Sequence, residues 1–322
     1  MHSLTLIAHG APAQALQLQP QIRPQPGPGE LLVRVLASPI DPADLLVVAG
    51  HYPILPPLGT IPGLEGAGRV EALGEGVDDA WLGSLTLLPM RASPWATWAT
   101  VPQSTSLPLP ADLDPIQACM LRLNPPSALD LIAGLAPGSW LVQSPGAGAV
   151  GQCIVQLAKT RGLRTISLIR RESRRSRLES LGADAVLHQD TKGLRRQVRA
   201  LIEGAPLTRA IDGSGGPLVD RMASCLDPGG EVLCYGAASR QPAQLSVRNS
   251  VFNEISMRGY WLYRENATHP EAETARLSAL AAEMEAQRLT LEVAGVFPLK
   301  DWPAAFELAR SGERCGRVIL QP

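Results

Sequence analysis

The sequence predicts an α/β protein of two domains, one built of short, strongly bent or barrel-like strands and the other a doubly wound parallel sheet with crossover helices. Three observations predict it. Up to Pro110 the chain consists of short β-like runs broken by Gly and Pro clusters. From Asp114 apolar-periodic helices alternate with short apolar strands, and the final run, "RVIL", returns to strand texture. With 322 residues, 45% of them hydrophobic, the chain is long enough to bury two cores.

In order, the first unit carries "ELLVRVLAS", "GAGRVEAL" and "GSLTLLPM", separated by "PQPGPGE" and "HYPILPPLGTIPG". The second carries the strands "WLVQS", "RTISLI", "ADAVL", "RAIDG" and "EVLCYG". After Asn266 come the helix "PEAETARLSALAAEMEAQRLT" and the closing segment ending in "RVIL". The expected division is 1–118 with 267–322 for the β-rich domain and 119–266 for the parallel-sheet domain. No internal repeat or low-complexity segment interrupts it.

A net charge of -1 gives no general attraction to nucleic acid or an anionic membrane, so any anion site must rest on a local cluster. No run approaches the roughly 20 apolar residues of a membrane helix, and the start has no basic segment followed by a long apolar one. A cytoplasmic location is the default expectation. The five cysteines, Cys119, Cys153, Cys225, Cys234 and Cys315, lack CxxC spacing, which argues against a disulfide framework or a structural zinc site.

In "GAGAVG", Gly146, Gly148 and Gly151 fit G-x-G-x-x-G, with a strand before and a helix after. The first glycine suits a tight turn, the second lets backbone approach a pyrophosphate, and the third lets helix and strand pack closely. A dinucleotide site follows. Roughly 20 residues on, where an NAD site places Asp or Glu for the ribose hydroxyls, "TISLIRRE" places Arg170 and Arg171. A carboxylate would repel a 2′-phosphate, whereas a guanidinium pairs with it through two parallel hydrogen bonds. The expected cofactor is therefore NADPH. Arg174, Arg175 and Arg177 read as a solvated helix face.

This arrangement resembles the medium-chain dehydrogenase/reductase superfamily over essentially the whole chain: a GroES-like β domain first, a Rossmann domain inserted, a last strand returning. Zinc-holding members use an early Cys, a His in a "GHE" turn and a later Cys or acid. Here the turn is "GLEGAG" with Leu64 at the His position, "LASPIDPAD" offers no Cys, and the four-cysteine lobe is missing. Leucine ligates nothing, so no metal is expected. Three stretches, "LRLNPPSALDLI", "SVRNSVFNEISMRGYWLYR" and "SPWATWATV", resemble the mitochondrial-type 2-enoyl thioester reductases. The resemblance implies NADPH-dependent reduction of a 2-enoyl thioester carried on CoA or acyl carrier protein, with quinone or enone reduction as the alternative. A non-catalytic NADPH-binding role is a third reading.

The resemblance also implies site residues. Tyr52, in "AGHYP", matches the tyrosine that acts at the substrate carbonyl; quinone reductases often share that turn, and Asn124 favours the enoyl reductase group. Asn124 is expected near the nicotinamide ribose, Ser144 and Gly146 at the cofactor, and Ala147, Gly148, Ala149 and Val150 at the pyrophosphate. Tyr235, Gly236 and Ala237, in "CYGAAS", are expected against the cofactor because ligands bind outside the carboxyl ends of parallel strands. Tyr260, Trp261 and Leu262 are expected along the nicotinamide and acyl region, and Arg317 at a phosphate. Glu65 and Asp44 read as turn-stabilising acids, and Trp95, Trp98 and Trp302 as packing. Ser127, Leu129 and Leu46 depart from the family pattern and alter the expected acyl pocket. A homodimer through the edge strand near "VFNEISMRGYW" is implied by the resemblance.

Overall fold

The computed structural model describes residues 1–322. Its strands are β1 (His2–Leu6), β2 (Leu16–Pro20), β3 (Glu30–Ile40), β4 (Ala67–Leu73), β5 (Leu85–Leu87), β6 (Trp98–Pro102) and β7 (Leu107–Pro108) in the leading part. There follow β8 (Trp140–Ser144), β9 (Arg164–Ile169), β10 (Ala185–His188), β11 (Leu207–Asp212), β12 (Glu231–Cys234) and β13 (Ser256–Gly259), then β14 (Val293–Pro298) and β15 (Arg317–Gln321). The chain divides into one unit of Met1–Leu123 with Glu271–Pro322 and a second of Asn124–Pro270.

In the first unit β1 and β2 form an antiparallel ribbon, and seven strands form a sheet in the order β14-β15-β3-β4-β5-β7, with β6 also on β3. The organising element is β3. Its 11 residues pair with β6 at the start and with β15 at Ser38–Ile40, while β4 runs along the other edge. Register shifts at Leu32/Val33 and Val35/Ala37 bend the strand so that it serves all three neighbours. A Cβ on Gly68, opposite Val35, would lie 2.4 Å from the Arg34 carbonyl oxygen, so β4 approaches β3 only as glycine. Trp95 anchors one core, fully buried and edge-on to Phe306 with ring centres 5.3 Å apart. Trp302 meets the same Phe306 edge-on at 5.9 Å.

The second unit is a six-stranded, wholly parallel sheet in the order β10-β9-β8-β11-β12-β13. Ile166, Val142, Ala210 and Val232 lie in register on four successive strands and are fully buried, which explains the apolar residues that these strands carry at their centres. The helix Leu194–Ile202 buries Leu194, Val198 and Ile202, spaced by four so that one stripe faces the core. The strand order reverses between β8 and β11, which opens a crevice at their carboxyl ends. No helix is long and apolar enough to cross a membrane.

Candidate active site

The glycine-rich turn sits at that reversal point, between β8 and the helix Ala149–Thr160. None of Gly146, Gly148 and Gly151 holds positive φ, so their roles are steric rather than conformational. A Cβ on Gly146 would meet Ser167 Cβ at 2.6 Å, which makes Gly146 a packing residue against β9 rather than a turn-maker. A Cβ on Gly151 would lie 2.4 Å from the Gly146 carbonyl oxygen. Gly148 is different: an added Cβ meets only Pro145, at 3.3 Å, and the residue is partly exposed at the helix start with no side chain capping it. An uncapped N-terminus with backbone open to approach is an anion cradle.

Around the cradle the expected residues Ser144, Tyr235, Gly236 and Ala237 are joined by Gln143, Asp212 and Ser214, which the sequence reading did not single out. Gln143 Nε2 donates to the Gly151 carbonyl and to Ser167 Oγ, both at 3.0 Å, fixing the turn to β9. Ser144 Oγ lies 3.1 Å from Ser214 Oγ on the neighbouring loop. That loop is shaped by Asp212, whose carboxylate accepts from the Ser214 and Gly215 amides at 3.2 and 2.6 Å. Burial raises the Asp212 carboxyl and the two amides pull it back. The signal was present as "DGSGG", since Gly215 and Gly216 both need positive φ, 73° and 72°. Tyr235 follows β12 and lays its ring against Gly213, where a Cβ would come within 2.5 Å of it. Gly236 and Ala237 are exposed beside it.

Arg170 and Arg171 directly follow β9. Neither guanidinium has a partner within the chain. Arg175, a few residues on, donates to Glu172 and to the Val186 carbonyl, and Arg177 to Gln152. The basic segment thus splits into arginines bonded within the fold and two whose guanidiniums are not.

The remaining second-unit candidates diverge. Asn124 is buried at the start of the helix Asn124–Leu131. Tyr260 spends its hydroxyl on Asp130, at 2.8 Å. Trp261 is 39% exposed and packs on Tyr263, whereas Leu262 is buried. Leu262, at 6% exposure, is nearly as buried as Asn124 at 4%.

In the first unit Tyr52 is half-buried, and the Arg91 guanidinium lies over its ring, 5.6 Å from the centre. Upstream, Asp41 and Asp44 form a reciprocal capping box on the helix Pro42–Val48, with Asp44 Oδ2 accepting from the Asp41 amide at 2.8 Å. Glu65 Oε2 accepts from the Arg122 and Leu123 amides, both at 2.9 Å. Burial first, and the negative neighbour Asp41 second, push the Asp44 and Glu65 carboxyls well above the usual range. Arg317 departs from its expected role at a phosphate. It is 8% exposed, and its Nη2 lies 3.0 Å from Asp41 Oδ1, so the carboxylate cluster of its own unit takes its charge.

A β-rich unit that regains its last strand after a doubly wound sheet with a pyrophosphate-type turn defines a GroES-like and Rossmann oxidoreductase. The family described as "Alcohol dehydrogenase GroES-like domain" matches residues 27–106, and that described as "Zinc-binding dehydrogenase" matches 149–280. The mitochondrial enoyl-[acyl-carrier-protein] reductase of Rattus norvegicus is 30% identical over 310 residues, 93% of this chain and 83% of that protein. The Mus musculus protein of the same name is 30% identical over 323 residues, 97% of this chain and 86% of its own. Among solved structures, a mycobacterial quinone oxidoreductase superposes with a TM-score of 0.87 at 27% identity, covering 100% of both chains. An enoyl thioester reductase from Candida tropicalis superposes at 0.90 with 21% identity, covering 100% of this chain and 99% of that one, and shares the fold. The chain belongs to the medium-chain dehydrogenase/reductase superfamily, among its enoyl thioester reductase-like members. The name of the second family does not carry zinc with it: no group of three or more His, Cys, Asp or Glu is arranged to hold a metal, and Leu64 is buried at the expected ligand position.

Proposed function

We propose that this protein reduces the C=C bond of a 2-enoyl thioester with NADPH. The likeness to enoyl-[acyl-carrier-protein] reductases across 93% of the chain carries the substrate class. NADPH supplies the hydride. Ala147, Gly148, Ala149 and Val150 hold its pyrophosphate at the helix start, Arg170 and Arg171 its 2′-phosphate, and Tyr235, Gly236, Ala237 and Ser144 line the sheet end. Asn124, Tyr260 and Trp261 belong to the nicotinamide side.

Hydride reaches the β-carbon only if the thioester oxygen can carry the charge pushed onto it. Tyr52 donates a hydrogen bond to that developing enolate oxygen, an oxyanion contact worth about 2 to 4 kcal/mol; its proton then passes to the α-carbon, and the tyrosinate left behind takes a proton from solvent. Turnover of crotonyl-CoA with NADPH, and its loss in Tyr52→Phe, tests the reading. Activity confined to a small quinone would overturn it in favour of the second reading, which the 27% identity to a quinone oxidoreductase supports.

The partner proposed is a second copy of the chain. β13 ends the parallel sheet, and Val247, Val251, Phe252 and Met257 stand exposed on or near it, Phe252 by 79%. An open strand edge flanked by apolar side chains is a pairing surface. Light scattering tests it, with a dimer expected and a Met257→Lys variant expected to dissociate; a wild-type monomer would exclude it. A cytoplasmic site is part of the proposal, consistent with five cysteines of which none forms a disulfide.

A further inference from the structure

Arg91 and Ser93 stand two residues apart in the loop between β5 and β6, and both hold left-handed backbone, φ 65° and 57°. Non-glycine residues adopt that region sparingly, and where they do the surroundings over-determine it, often at functional sites. Glu203, Arg240, Glu254 and Gln287, the other such residues, are isolated in sequence.

Arg91 is held at three points. Its amide donates to the Leu64 carbonyl at 2.9 Å. Its Nη2 donates to the Ile54 carbonyl at 3.2 Å. Its guanidinium covers the Tyr52 ring. The strained loop thereby delivers one cation to the turn that carries Tyr52 and fastens that turn by its own backbone. A planar guanidinium can lie over an aromatic face while an N–H in its plane bonds a carbonyl; an apolar side chain can do neither, and an ammonium has no plane to lay on the ring. Covering a tyrosine ring needs no charge, so the choice of Arg calls for a reason beyond packing.

We propose that Arg91 is a positioning residue for Tyr52: it fixes the ring and its turn, and holds a positive charge beside the group that stabilises negative charge in the transition state. This rests on the reading of Tyr52 as the oxyanion donor.

The test uses the full chain with crotonyl-CoA and NADPH. Arg91→Met is expected to lower kcat about tenfold and to change the KM for NADPH less than about twofold. Arg91→Lys restores the charge but not the fork and is expected to stay about threefold below wild type. In a Tyr52→Phe background Arg91→Met should cost less than about twofold, because Arg91 acts through the missing hydroxyl. An unchanged kcat in Arg91→Met, or the full loss in the Tyr52→Phe background, would overturn the proposal.

A second readout is independent of turnover. The chain has four tyrosines, so NMR of ring-labelled protein resolves Tyr52 by its absence in Tyr52→Phe. Arg91→Met should shift that ring signal and leave those of Tyr235, Tyr260 and Tyr263 in place. No shift, or equal shifts in all four, refutes the positioning role. If Tyr52→Phe keeps full activity, the oxyanion reading fails while the ring signal still reports on Arg91. Should Arg91→Met not fold, Arg91→Lys carries the test, and a kcat and ring signal identical to wild type would sink the idea.

Discussion

Arg122 Nη1 lies 2.7 Å from Glu273 Oε1, a pair separated by 151 positions in the chain. Arg122 precedes the Leu123–Asn124 crossing between the two units, and Glu273 follows the Pro270–Glu271 crossing. Within the first unit, the pair therefore ties together the two ends of the segment that forms the second. Glu65 reinforces it by accepting the Arg122 and Leu123 amides. Arg122 is 4% exposed; burial lowers its pKa, and Glu273 opposes that.

Removing Glu273 leaves a buried guanidinium without its counter-charge. Glu273→Gln is expected to lower the stability of the first unit by about 3 kcal/mol. The double replacement Arg122→Met/Glu273→Met should lie closer to wild type, because it buries no orphan charge. Urea unfolding of the three proteins checks this, and equal losses in the single and double variants would show that the charge pairing is not what matters.

Glu65 and Asp44 make a pH prediction. A carboxyl whose folded pKa is raised is protonated more readily in the native than in the unfolded state, so the native state binds more protons. Stability is then fully present below the unfolded value, near 4.5 for Glu65, and is lost as pH rises through the raised folded value. The protein is expected to unfold at progressively lower urea as pH climbs from mildly acidic to alkaline. Glu65→Gln still accepts the two amides through its carbonyl oxygen and cannot ionise, so it should flatten that decline. A pH profile of the urea midpoint that is unchanged in Glu65→Gln would place the titration elsewhere.

The parallel sheet is legible in the sequence because its buried strands leave short, mostly apolar runs between glycines, as "WLV" in β8 and "VLC" in β12 do. β13 carries no such run, since all four of its residues are exposed, and only the resemblance points to it. In the site, Arg170 and Arg171 stand out by what they replace at the end of a strand. Arg317 stands out equally, but its partner Asp41 is a neighbour only after β15 pairs with β3. Arg91 leaves no mark at all, because left-handed backbone at an arginine has no sequence pattern. Linear spacing reports residues whose neighbours are local, and it is blind to charges neutralised across the fold.

Gly148 and Gly151 lie in the same turn but should fail differently. Gly151→Ala drives a methyl group to 2.4 Å from the Gly146 carbonyl and 2.5 Å from that of Pro145, neither able to yield without moving the turn. A loss of about 2 to 3 kcal/mol in urea unfolding is expected. Gly148→Ala meets Pro145 at 3.3 Å and should stay within about 1 kcal/mol of wild type. Its cost appears instead as an NADPH dissociation constant raised about tenfold or more, because the methyl group occupies the approach to the helix start. Wild-type NADPH affinity in Gly148→Ala would mean that the pyrophosphate does not sit there.

On the proposed reading, Arg170 and Arg171 set the choice between NADPH and NADH. Their guanidiniums have no partner in the chain, unlike Arg175 and Arg177. Charge-assisted bonds to a phosphate are each worth about 1.5 to 3 kcal/mol. Replacing both by Ala should therefore raise the NADPH dissociation constant by about a hundredfold or more in low salt and leave NADH, which lacks the 2′-phosphate, within about threefold. Raising the ionic strength should narrow the difference between wild type and variant, since exposed pairs are screened. Arg175→Ala is the control: it breaks contacts to Glu172 and the Val186 carbonyl and should lower stability slightly without changing the NADPH to NADH ratio. Fluorescence titration of both cofactors against the three proteins measures all of this, and equal losses for NADPH and NADH in the double variant would remove phosphate recognition from these two arginines.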